Sequence, residues 1–148
     1  MMNNWFEVKV AYAKVMENGF EKRVMEPFLV EALSFTEAEK RIIEEVRPFI
    51  SGEFEVSAVG RKKYAEVVYD GSDAADKFYH VKLMFVTIDE KSGAEKLSAC
   101  LLLVQSSDLR EAVHAIDNHM RDTLCDYRIA EVKETAIVDV YAYQAEEM

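Results

Sequence analysis

Residues 4–46 read NWFEVKVAYAKVMENGFEKRVMEPFLVEALSFTEAEKRIIEEV. From Trp5 to Met16 the side chains alternate, with Phe6, Val8, Val10 and Tyr12 on one face and Glu7, Lys9 and Ala11 on the other. A period of two marks a strand buried on one side. Glu17, Asn18, Gly19 and Phe20 then predict a hairpin turn, because Asn-Gly tolerates the paired positive φ values of a type I′ turn. The return strand runs from Phe20 to Glu31, and Pro27, which has no amide hydrogen to give a ladder, belongs at an edge or a bulge. A helix opens at Ser34, whose hydroxyl caps the amides while Glu37 reaches back as a capping box; Thr36 with Glu39 offers a second register. Ala38, Ile42, Val46 and Phe49 recur at helical spacing and predict one buried face, and Pro48, Ser51 and Gly52 end the helix.

The same order of signals returns later in the chain. Trp5, Phe6, Val8, Lys9 and Val10 match Phe78, Tyr79, Val81, Lys82 and Leu83 at one constant offset. Past a one-residue insertion in the turn, Gly19, Glu21 and Lys22 match Gly93, Glu95 and Lys96, and Phe28, Leu29 and Val30 match Leu102, Leu103 and Val104. Ser34, Glu37, Ala38, Ile42 and Val46 then meet Asp108, Glu111, Ala112, Ile116 and Met120. Two similar amphipathic patterns would also produce matches, but the offset changes only where turns absorb it, which points to duplication of one supersecondary unit.

The remaining elements follow from the same signals. A third strand or strand pair spans Glu53 to Tyr69, with a bend or hairpin tip at Gly60, Arg61, Lys62 and Lys63, and residues 70–76 have linker composition. The second copy predicts strands over Phe78–Ile88 and Glu95–Gln105, a helix from Asp108 to about Leu124, and strands over Tyr127–Lys133 and Ile137–Tyr143. The run from Ala99 to Val104 is apolar on both faces, so its strand belongs in the middle of a sheet. The tail from Gln144 to Met148 is expected to fray. The expected fold is α+β: two tandem ββαβ-type repeats, about residues 4–69 and 77–143, joined by 70–76 within a single domain over 1–148. Mainly antiparallel sheet carries two packed amphipathic helices, each third strand antiparallel beside the first, because one unit alone is too small to bury much core.

Composition narrows the function classes. The net charge of −10 works against any surface that holds nucleic-acid phosphates or an anionic membrane, so no direct nucleic-acid binding and no membrane association are expected. Without a basic segment and an apolar stretch near Met1, or a run long enough to span a bilayer, the expected location is cytoplasmic. Two cysteines agree with a reducing compartment: Cys100 reads as a buried core thiol, Cys125 lies at a helix end, and nothing requires or excludes a bond between them.

The chain carries little recognisable chemistry. His114 and His119 are five residues apart, about 140° around a helix, and cannot chelate together as an i, i+4 pair does. His119 with Cys125 or Asp122 reads as exposed polar surface before a metal corner; Ser106, Ser107 and Asp108 read as helix caps before a nucleophile cluster. Glu37, Glu39, Glu44 and Glu45 read as a solvated helix face. No G-x-S-x-G, glycine-rich phosphate loop or C-x-x-C is present. No catalytic residue, metal ligand set or cofactor is therefore expected. Trp5, Ala11 and Ala13, with Tyr141 and Tyr143 of the last strand, would make the second sheet face too apolar for water. Arg61, Lys62 and Lys63 beside Tyr64 are a further candidate contact for an acidic group.

NWFEVKV from Asn4, EPFLVEALSFTEAE from Glu26, ISGEFEV from Ile50 and DEKSGAEK from Asp89 resemble a family of short Bacteroidetes proteins known only as a domain of unknown function, DUF4494. That resemblance implies no activity and no site. The function classes left open are three: a non-catalytic interaction or structural module, self-associating or bound to a protein partner; a small-molecule binder or enzyme using a groove between the repeats; and an acidic nucleic-acid mimic that occupies a basic partner.

Overall fold

Two extended hairpins carry most of the backbone pairing. In the computed structural model, which describes residues 4–143, β1 (Trp5–Val15) and β2 (Glu21–Glu31) form the first, and β5 (Lys77–Ile88) and β6 (Glu95–Ser106) the second. Each hairpin is followed by one helix, α1 (Phe35–Val46) or α2 (Leu109–His119), and then by a strand, β3 (Phe54–Lys62) or β7 (Asp126–Glu134), which returns antiparallel beside the hairpin's first strand. With β4 (Tyr64–Val68) and β8 (Val140–Tyr141), the described residues give an α+β fold of two helices and eight strands.

The strands form two sheets of four, ordered β3-β1-β2-β8 and β4-β6-β5-β7. Pairing is antiparallel except at β2 with β8 and β4 with β6, which are parallel. Contacts divide the chain into two units, one running up to Lys63 and resuming from Ala136, the other Tyr64–Thr135. The chain thus changes unit between Lys63 and Tyr64, while residues 70–76 connect β4 to β5 inside the second unit.

Gly60 does not make a hairpin tip. Gly60, Arg61 and Lys62 continue β3 opposite Glu7, Phe6 and Trp5, and the following strand β4 pairs with β6 instead of folding back on β3. The guanidinium of Arg61 lies 5.4 Å from the Phe6 ring centroid and 5.9 Å from that of Phe35, which holds β3 on the sheet past the glycine. Pro27 takes the place its chemistry demands. Leu29 donates its amide to Asp139 across the outer edge of β2 at 3.0 Å, so the nitrogen of residue 27, two positions back, faces that edge and costs no bond with β1.

The first turn differs from the type I′ expectation. Gly19 alone takes a positive φ, +85°, while Asn18 does not. Gly19 donates to the Met16 carbonyl at 2.9 Å and Met16 to Phe20 at 2.8 Å, a three-residue loop in which a type I turn precedes a left-handed glycine. Asn18 instead accepts the Phe20 amide on Oδ1 at 3.1 Å.

Both helices are capped by side chains: Ser34 Oγ accepts the Glu37 amide at 3.1 Å and Asp108 Oδ1 the Glu111 amide at 2.8 Å. Glu37 reaches back one residue further than a capping box requires, accepting from the Leu33 amide at 3.3 Å. Phe49 is not on the buried face of α1, because the helix closes at Val46, whose carbonyl accepts from both Phe49 and Ile50. The Phe49 side chain is 80% exposed. α2 likewise ends at His119, ahead of Leu124.

Each helix covers one face of its own sheet. Phe6, Val8, Val10, Phe28 and Val30 pack against Ala38, Ile42 and Val46 in the first unit, and Tyr79, Val81, Leu83, Leu102 and Val104 against Ala112, Ile116 and Met120 in the second. β6 lies between β4 and β5, which buries Leu102, Leu103 and Val104 as a central strand should. The tail from Gln144 lies outside the described residues. Ile42 and Ile116 are fully buried, so truncation of either to Ala is expected to cost about 2–5 kcal/mol. Ser34→Ala is expected to cost about 1 kcal/mol. Urea unfolding followed by far-ultraviolet dichroism checks this order, and a cap variant as damaging as the core variants contradicts it.

Candidate ligand pocket in the first unit

The apolar face of the first sheet stops short of the hairpin end. Beyond Val10 and Phe28 the same face carries Tyr12, Glu26 and Lys14, while α1 has already ended at Val46. The uncovered space is a cavity of about 300 Å³. Tyr12, Lys14, Glu26 and Phe28 line it from the hairpin, Val46, Phe49 and Ile50 from the end of α1, and Val138, Asp139 and Tyr141 from the approach to β8. Segments far apart in the chain therefore meet in one place. Larger depressions, about 530 Å³ beside Glu53 and Arg47, about 630 Å³ beside Asp108 and His114 and about 370 Å³ beside Thr36 and Lys40, are formed largely by exposed side chains.

The polar groups of the cavity are mutually bonded. Tyr12 donates its hydroxyl to Glu26 Oε1 at 2.5 Å, and Lys14 Nζ lies 3.5 Å from Glu26 Oε2. Burial, reinforced by the hydrogen bond to Glu26 and its charge, pushes the Tyr12 phenol up to about 12. Burial, together with the charges of Asp139 and Glu45, pushes Tyr141 up to about 12 as well. The Phe28 and Tyr141 rings stack at 6.1 Å and 22°. Both phenols stay neutral through the physiological range, and no Ser, Thr, Cys or His is among the lining residues.

The C-terminal segment is held in place by Arg41. One guanidinium nitrogen donates to the Glu31 carbonyl, the other to the Ala142 carbonyl at 3.2 Å, and the group lies 4.6 Å from the Tyr143 ring centroid. The Tyr143 amide donates to Glu31 Oε1 at 2.8 Å.

The chain matches the family described as Domain of unknown function (DUF4494) over residues 4–143. It belongs to that family. No curated protein and no solved structure matches it. Membership in DUF4494 brings no assigned activity, so chemistry has to be read from this chain's own residues.

The residues singled out from sequence are dispersed. Trp5 is 3% exposed, and its indole nitrogen has no hydrogen-bond partner among the described residues. Tyr141 lies opposite Val30 in the β2–β8 register and so shares the helix-covered face with Phe28, whereas Trp5 lies opposite Glu31 on the other face. The expected single aromatic face with Trp5, Tyr141 and Tyr143 therefore does not form. Tyr143 is 44% exposed beneath Arg41. Arg61 and Lys62 are successive strand residues and point to opposite faces: Arg61 covers Phe6, and Lys62 Nζ is 3.8 Å from Glu7. Lys63 is the exposed residue between β3 and β4.

Each histidine has a different partner: His80 Nδ1 is 2.9 Å from the Tyr64 hydroxyl, His114 Nδ1 3.6 Å from Glu111, and His119 Nε2 2.8 Å from Glu66. Among the described residues no three His, Cys, Asp or Glu side chains are grouped to hold a metal ion. Asp108 is the helix cap, but Ser106 is fully buried in β6 with no partner for Oγ among the described residues. Cys100 is half-buried and packs against the core of the second unit, and burial with the charge of Glu66 raises its pKa; Cys125 is exposed, and neither is in a disulfide.

The pocket residues that sequence reading passed over are Glu26, Lys14, Phe28, Phe49, Val138 and Asp139. One signal was available for Glu26: it pairs with Val10, so a carboxylate occupies an otherwise apolar stripe. Two late-titrating phenols give a checkable pH dependence. Their folded pKa values exceed the ordinary value of 10, so the folded state holds more protons between pH 10 and about 12, and stability falls as pH rises through that window. Ultraviolet titration of tyrosinate is expected to show the Tyr12 and Tyr141 phenols ionising near 12, alongside Tyr79 and Tyr127, which burial also raises above the ordinary value. Tyr12→Phe and Tyr141→Phe should each remove one; retention of both late steps in either variant contradicts the assignment.

Proposed function

We propose that the chain is a non-catalytic protein-interaction module that self-associates through the end of its first hairpin. The observation that carries this reading is the exposure of Phe20 (74%) and Val15 (63%), with Met16 beside them, where β1 and β2 run past the core. Large apolar side chains grouped at one tip lose unfavourable water contact when a second copy covers them, at about 25 cal/mol per Å² of apolar area. The outer edge of β2 is a poorer candidate: Glu21, Lys22, Arg23 and Pro27 are the charged and imino residues that discourage strand addition.

The architecture behind this reading is taken to be one domain over 1–148, duplicated from a ββαβ unit over about 4–69 and 77–143 with 70–76 as the linker. The matched positions of hairpin, helix cap and core support it. A cytoplasmic location agrees with two unpaired thiols, and no helix among the described residues is long and apolar enough to cross a membrane. Of the surface expected from sequence, Tyr143 is the aromatic residue that remains substantially exposed. Trp5 and the Arg61–Lys63 triplet are not part of the proposed contact. The second reading, a small-molecule binder, draws on the cavity bounded by Tyr12 and Tyr141.

Light scattering after size exclusion, repeated in raised salt, tests the proposal. The expected result is a dimer or larger assembly that persists in salt, because apolar contact is not screened. Phe20→Asp with Val15→Lys should return it to monomer with an unchanged dichroism spectrum. A monomeric parent chain, or an assembly untouched by the double variant, overturns the proposed surface.

A further inference from the structure

We propose that the cavity beneath Tyr12 and Tyr141 is a binding site for an organic cation, an ammonium or guanidinium group carried on an apolar stem. The walls suit the stem: Phe28 and Tyr141 are stacked, and Phe49 stands 80% exposed at the mouth with no partner ring described for it. The ring faces also suit the charge, since aromatic π-faces attract a cation held within about 6 Å.

The fixed charges set the sign of the ligand. Glu26 and Asp139 line the cavity against a single cation, Lys14, which is 3.5 Å from Glu26 with a half-exposed side chain. Glu45 lies close enough for its charge to act on Tyr141. An anion would meet this surplus of carboxylates, and a neutral apolar molecule would gain nothing from the exposed Asp139, whose Oδ1 accepts only the adjacent Val140 amide at 2.8 Å among the described residues. A volume of about 300 Å³ accommodates the end of an arginine or lysine side chain, or a free alkyl cation of that size. The inference is independent of self-association, since the hairpin tip is not used.

The test titrates the full chain, labelled with nitrogen-15, with butylguanidinium, its neutral isostere butylurea, and pentanoate. Saturable shifts of the Tyr12, Phe28 and Asp139–Tyr141 amides are expected with butylguanidinium, with binding of butylurea about tenfold weaker. Tyr141→Leu, which keeps apolar volume but removes the ring, should weaken butylguanidinium by a similar factor, whereas Tyr143→Leu, outside the cavity, should not. If Tyr141→Leu fails to fold, Asp139→Asn decides by the same comparison. The short peptide acetyl-Gly-Arg-Gly-amide separates the two sources: tighter binding than butylguanidinium assigns the cation to a protein chain, equal or weaker binding to a free small molecule, and both support the site. Equal or tighter binding of butylurea or pentanoate, or no saturable shift with butylguanidinium, overturns it.

Discussion

The pairing of β8 with β2 is the contact on which the first unit depends. Only Leu29 with Val140 and Val30 with Tyr141 are in register, yet this two-residue strand closes the edge of the sheet and brings Tyr141 onto Phe28. So short a strand gains little from its own ladder. It is held by bonds on either side: Val138 to the Pro27 carbonyl at 2.9 Å before it, and Arg41 to the Ala142 carbonyl after it. Arg41 also reaches the Glu31 carbonyl, so a single guanidinium links α1, the end of β2 and the C-terminal segment. A planar donor with several fixed N–H directions serves such a junction better than an ammonium.

Local order in this fold is legible because it is set by short-range periodicity. Alternation over Trp5–Val15, the four-residue spacing of Ala38, Ile42 and Val46, and the oxygen caps at Ser34 and Asp108 each depend on neighbours within a few positions. Sequence and structure part where tertiary partners choose among local options. Gly60 permits a bend, but Arg61 finds two aromatic rings by continuing straight. Phe49 continues an apolar spacing, but the helix ends three residues earlier. Asn18 tolerates a left-handed conformation, but a three-residue loop asks it only of Gly19.

The cavity was less legible than the elements around it, for a related reason. Its walls come from the hairpin, the end of α1 and the approach to β8, and no local pattern encodes the meeting of Tyr12 with Asp139. Alternation alone places Tyr12 on its strand face and Tyr141 on the last strand. The face that Tyr141 occupies is fixed by register alone: a shift of one residue against Val30 would turn it away from Phe28 and leave the cavity without that wall.

The uncovered ends of the two helices and hairpins explain why the first unit has both an apolar tip and a polar pocket. α1 spans 12 residues, about 18 Å, while β1 spans 11 and runs roughly twice as far. A helix of that length cannot cover its strand, so part of the sheet face must be left over. Next to the helix end the leftover face is partly enclosed by β8 and Phe49, and there it carries Tyr12, Glu26 and Lys14, whose polar atoms satisfy one another. The tip beyond it is not enclosed, yet Val15, which points to the opposite face from Lys14, and Met16 and Phe20 are apolar. Had the chain needed only to remain soluble, polar residues would serve at the tip and the enclosed part could be filled. The reverse arrangement fits the two proposed contacts: apolar area where a second copy can reach it, and charge beside aromatic rings where a small cationic group can enter.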